Sequence, residues 1–143
     1  MSEKERRGRC LCGSVEFVVT GEPVIVAHCH CEDCQRLTGA GHSTGAMYAS
    51  DKVQMTGEIG EYKLQSENGN EVTRVFCPRC GSPVFGRNTA MEGFQTFSLG
   101  LFEDSSDLVP EVTVFARNRN PWDVMDDKIQ TFEAQPVWDP NAT

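Results

Sequence analysis

Three thiols crowd into the six residues Cys29-His30-Cys31-Glu32-Asp33-Cys34, and two further pairs, Cys10/Cys12 and Cys77/Cys80, stand far to either side. Side chains alternate along an extended chain, so Cys29 and Cys31 face one way and His30 the other. A turn after Cys31 brings Cys34 back toward the same point. Three soft sulfurs converging with no obvious fourth ligand is the arrangement expected of zinc with an open coordination position. Cys77-Pro78-Arg79-Cys80-Gly81 is a second signal. A C-x-x-C turn followed by glycine lets backbone N–H groups point at both sulfurs, since Gly81 accepts positive φ. A thioredoxin-like redox pair would instead open a helix in a βαβ setting, which this sequence lacks.

The cysteines number seven, an odd count that argues against a closed disulfide framework. A C-x-C disulfide is also strained, so metal ligation is the better reading. Spacing leaves the partition open. Cys10 and Cys12 can join Cys77 and Cys80, leaving Cys29, Cys31 and Cys34 for a second metal; equally, Cys31 and Cys34 can pair with Cys77 and Cys80. A zinc ion held by three thiolates carries a net negative charge and is a weak generator of hydroxide. A substrate thiol filling the fourth position would be held there as thiolate, the reactive nucleophile.

The elements that must position these sulfurs are short strands. Val15, Phe17 and Val19 alternate over 14–20 and close on Gly21-Glu22-Pro23; Val24–Ala27 is a more continuously apolar strand that delivers the chain to Cys29. Residues 32–37 suit one or two helical turns before Gly39 and Gly41 break them. Strands are expected over 43–48, 60–65, 71–76, 83–85, 94–99 and 111–116, with Glu67-Asn68-Gly69-Asn70 as a hairpin loop. No repeat of 20–50 residues is present. The sum is a mainly β domain.

Taken together, Gly8-x-Cys10-x-Cys12-Gly13-x-Val15, Cys29-His30-Cys31-x-x-Cys34-Gln35-Arg36 and Phe76-Cys77-x-x-Cys80-Gly81-x-Pro83 resemble the glutathione-dependent formaldehyde-activating enzyme family. Pro121-Trp122 and Asp126-Asp127 are similar to that family's closing segment, so the likeness spans about residues 8–132. It implies a small zinc-bound domain of several short antiparallel sheets (a β-tent). Residues 1–7 would be an N-terminal extension, 8–133 the domain and 134–143 a C-terminal tail. It also implies a structural zinc on Cys10, Cys12, Cys77 and Cys80 and a catalytic zinc on Cys29, Cys31 and Cys34, two ions per chain. The implied activity is that of a carbon–sulfur lyase that joins formaldehyde to glutathione as S-(hydroxymethyl)glutathione or splits that adduct. The alternatives are a non-catalytic zinc- or glutathione-binding module and a protein-interaction domain like that of centromere protein V.

Composition bounds these readings. The chain has 143 residues, the size of one domain, and a formal net charge of -8, which disfavours a nucleic-acid footprint. Glu3–Arg7 is charged with no apolar run after it, and no segment approaches membrane-spanning length. A soluble, cytoplasmic protein acting on a small thiol adduct is expected. Anionic glutathione needs a nearby cation. Arg36, beside the metal loop, is the first candidate; Arg79, Arg87 and Arg119 follow. His30 is assigned a structural role beside the metal rather than ligation, and His42 either a proton shuttle or a solvated loop position. Glu32, Asp33, Asp126 and Asp127 read as turn or cap residues, and Trp122 as a core aromatic.

Overall fold

The computed structural model describes residues 3–142; positions 1, 2 and 143, the outer ends of the expected extension and tail, lie outside the described residues. Among the described residues, eleven strands and one α-helix follow one another. They are β1 Glu5–Arg9, β2 Glu16–Thr20, β3 Ile25–Cys29, α1 Glu32–Thr38, β4 Ser43–Ala49, β5 Val53–Thr56, β6 Gly60–Gln65, β7 Glu71–Phe76, β8 Pro83–Asn88, β9 Phe94–Ser98, β10 Val112–Val114 and β11 Gln130–Thr131. The protein is mainly β, and its strands form two sheets. One is antiparallel, ordered β1-β2-β5; the other has eight strands, ordered β11-β10-β3-β4-β9-β8-β7-β6. The larger sheet is antiparallel except where β10 runs parallel to both β3 and β11. Parallel pairing of consecutive strands needs a long connection, which residues 115–129 between β10 and β11 supply.

The two faces of the large sheet have different fates. On the inner face, cross-strand partners Val26, Ala46, Phe97, Phe85 and Val75 form one buried row across five strands. Phe17 of β2 packs its ring 4.4 Å from Phe97, and Phe102 meets Phe17 edge-on at 5.2 Å. Burial of this aromatic and β-branched layer is the main stabilising term that holds the sheets together. On the opposite face, the partnered sets Cys29/Ser43, Ala27/Gly45/Ser98 and Met47/Thr96/Gly86/Arg74 line an open cavity. Strand alternation therefore puts the thiol-bearing face on one side of the sheet and the packed core on the other.

Three strands lie where the sequence pattern shows none. β1 (Glu5-Arg6-Arg7-Gly8-Arg9) has no apolar residue, yet Arg6 and Gly8 point inward. The buried Arg6 guanidinium is matched by Asp107 at 2.7 Å and Glu22 at 3.1 Å. This tertiary ion pairing makes a strand of a segment without a hydrophobic face. β5 and β11 have four and two residues, too short for periodicity to register. Among the described residues, no helix is long and apolar enough to cross a membrane.

Candidate metal centres and the cavity around them

Cys10, Cys12, Cys77 and Cys80 come together from the turn after β1 and the turn after β7, their sulfurs all within 4.8 Å of one another. Cys10 Sγ lies 3.7 Å from Cys12 Sγ, which lies 3.8 Å from Cys77 Sγ. A disulfide would need about 2.05 Å. Four thiolates bound tetrahedrally about 2.3 Å from a common ion would stand about 3.8 Å apart, so the observed spacing fits a metal. The backbone is preset for this. Gly13 and Gly81 both take φ of 81°, and N–H groups of Val15 and Cys80 donate to Cys10 Sγ (3.3 Å) and Cys77 Sγ (3.5 Å). Burial opposes ionisation of Cys10, but the Val15 N–H and its neighbours Cys12, Ser14 and Cys77 outweigh it and lower the thiol to about 7. The Ser82 hydroxyl, with backbone donors, lowers Cys80 to about 5.

The second cluster is Cys29, Cys31 and Cys34, again with sulfurs within 4.8 Å. Cys29 ends β3 on the cavity face. Cys31 caps α1, its sulfur accepting the Cys34 N–H at 3.3 Å, and Cys34 sits in the first turn. The helix places the third sulfur; its length is set by Gly39, which takes the left-handed cap. The three thiols share charge unevenly. Bonds from Cys29 and Cys31 hold Cys34 far below the usual thiol range despite its burial, with Arg74 and Ser43 assisting. Cys31 and Cys34, together with burial, push Cys29 far above that range. A set that carries a thiolate this readily suits a soft cation.

Among the described residues, no fourth cysteine, histidine or carboxylate joins this cluster. Its sulfurs open onto a cavity of about 1130 Å³ on the outer face of the large sheet. The cation that meets them is Arg74 of β7, whose guanidinium nitrogen lies 3.6 Å from Cys34 Sγ. It lies over Gly86, its partner across the ladder; a Cβ there would stand 3.0 Å from the guanidinium. Arg36 stands elsewhere: it is exposed, bonds Glu32 across one helical turn, and does not line the cavity. Arg87 pairs with Glu61 at the cavity edge, Arg119 holds the Asp123 carbonyl, and Arg79 is exposed on the C-x-x-C turn.

His30 and His42 lie behind the thiols rather than in the cavity. His30 is fully buried; its Nδ1 donates toward the Gly41 carbonyl at 3.2 Å and Asp123 Oδ2 at 3.3 Å, which leaves Nε2 without a partner. His42 Nδ1 donates to the same Asp123 oxygen at 2.7 Å. Gln35 completes the brace, donating to the carbonyls of His30 and Asn118 and accepting from Asn120. The loop after β10 is thereby fastened to the back of the cysteine loop. Sequence reasoning missed Arg74, Asp123 and Ser43. For Arg74 a signal existed, a cation on the same strand face as the buried Val72. Trp122 is exposed rather than core, while Asp126 accepts the Lys128 N–H in a turn. Glu32 and Asp33 fill the first turn of α1.

The fold and its sulfur clusters define a class of protein: a mainly β domain carrying one four-thiol and one three-thiol centre. The family model described as glutathione-dependent formaldehyde-activating enzyme matches residues 5–118, and the chain belongs to that family. A Rhodobacter sphaeroides protein of known crystal structure shares the fold with a TM-score of 0.57 and 21% identity, over 73% of this chain and 97% of the other. No curated protein matches the sequence.

Proposed function

We propose that this protein is a zinc-dependent carbon–sulfur lyase that forms or cleaves S-(hydroxymethyl)glutathione or a related thiol adduct. The carrying observation is a three-thiol cluster that faces a cavity, beside a cation without a carboxylate partner among the described residues. Zinc fits the donor set, with Cys10, Cys12, Cys77 and Cys80 as a closed structural site and Cys29, Cys31 and Cys34 as the reactive one. Bound at the three thiols, zinc would supply an open position where a substrate thiol is held as thiolate.

The chain's own residues do the rest. Arg74 offsets negative charge at the sulfurs and is placed to draw an anionic thiol such as glutathione toward them. The brace of Gln35, Asp123 and the two histidines holds the cysteine loop, so the sulfurs need not reorganise when substrate arrives. Binding there as thiolate would release the thiol proton. In the adduct-forming direction the sulfur–carbon bond forms while the carbonyl oxygen takes that proton; the reverse restores both.

The metal-replete protein should accelerate exchange between free and adducted formaldehyde in NMR exchange spectra at fixed glutathione. A rate equal to that of buffer, where the addition proceeds unaided, would defeat the proposal.

A further inference from the structure

The cavity is larger and more apolar than a one-carbon adduct requires. Formaldehyde adds a single carbon to sulfur, and glutathione brings two carboxylates and an ammonium group. Beside the three thiols, the cavity floor is the small side chain of Ala27, with the Thr96 methyl lying over its partner Gly45. Met47 and Phe94 line the cavity further along the sheet, and Phe132, whose N–H bonds the Thr113 carbonyl of β10, and Trp138 line it from the chain's last segment. The last two belong to chain beyond the family match, which ends at residue 118. At about 1130 Å³ the space exceeds the range of about 300–1,000 Å³ that holds drug-sized ligands.

Apolar walls that open directly from a thiol-binding centre suit an apolar group on the carbon that the sulfur carries. We infer that the site takes hemithioacetals of bulky apolar aldehydes, aromatic or medium-chain aliphatic, with the hydrocarbon held among the apolar lining residues Ala27, Met47, Phe94, Phe132 and Trp138. The inference rests on the lyase reading of the same centre. The chemistry balances without a further reagent. The thiol sulfur bonds the aldehyde carbon, the carbonyl π pair becomes a C–O single bond, and the thiol proton ends on that oxygen. Cleavage is the reverse.

The test uses the metal-replete protein with glutathione and, in parallel, formaldehyde, phenylacetaldehyde and the straight-chain aldehydes from propanal to heptanal. Each catalysed exchange rate is divided by its uncatalysed rate. Acceleration should rise about threefold to fourfold per added methylene until the cavity is filled, as apolar transfer predicts. Phenylacetaldehyde should exceed formaldehyde by at least tenfold. Trp138→Ala and Ala27→Leu should each lower the phenylacetaldehyde-to-formaldehyde ratio several-fold. That ratio is insensitive to a partly unfolded or metal-poor fraction, which lowers both rates alike. Acceleration of formaldehyde exchange with no gain along the aldehyde series would overturn this inference and leave the lyase reading intact. No acceleration with any aldehyde would overturn both.

Discussion

Asp123 offers the sharpest test of whether the protein frame sets the reactive thiols. Its carboxylate is 11% exposed and accepts from His42 at 2.7 Å and from His30 at 3.3 Å. Asp123→Ala removes the shorter bond outright, worth about 1.5–3 kcal/mol for a hydrogen bond to a charged group. The longer one adds little, because His30 keeps the Gly41 carbonyl at 3.2 Å. The total is about 2 kcal/mol, or about 30-fold in an equilibrium constant. For a domain of this size that lowers Tm by roughly 5–10 °C. If the brace also holds Cys29 and Cys31 in register, metal at the three-thiol cluster should loosen by about 10–30-fold in chelator competition followed by metal analysis. The four-thiol cluster, which shares no hydrogen bond with the brace, should be unmoved. Asp123→Asn keeps an oxygen for His42 and should recover most of both effects. A lowered Tm with unchanged chelator sensitivity would refute the reasoning, since the carboxylate would then stabilise the fold without setting the ligands.

Cys77→Ser should leave little folded protein, because structural zinc in small domains supplies about 10–16 kcal/mol, as much as a whole domain's stability. Cys34→Ser should instead keep its circular dichroism and lose one metal per chain. Arg74→Met should slow adduct exchange at least tenfold with the metal content intact, whereas Arg36→Ala, altering only an exposed helical pair, should stay within twofold. Acid stability should report the Arg6 pair. Arg6, then Lys4, holds the Asp107 carboxyl well below the usual range. A depressed folded-state pKa gives stability that is present above the unfolded value, near 4, and lost as pH falls through the folded one. Asp107→Asn should therefore lower Tm at pH 7 and flatten its fall between about pH 4 and 2 in a thermal melt series.

The sulfurs were legible because their chemistry is local: C-x-C, C-x-x-C and the short helix behind Cys31 fix ligand direction within a few bonds. The strands 60–65 and 71–76 were legible for the same reason, since alternation and an Asn-Gly turn are properties of neighbouring residues. What depends on register was hidden. Arg36 is only two residues from Cys34, but two positions along a helix turn its side chain away. Arg74 is forty residues away and reaches the same sulfur because β7 sits across β8 from β9 and Gly86 leaves room for it. β1 was invisible for the converse reason: its inward residue is a charge, matched by carboxylates that lie sixteen and one hundred and one residues away. In this protein, then, the motifs specify which sulfurs cluster, while sheet order specifies which cation and which apolar walls a thiol bound there would meet. Substrate choice should therefore follow residues such as Ala27, Arg74 and Trp138, and two chains with identical cysteine motifs can differ in the adducts they process.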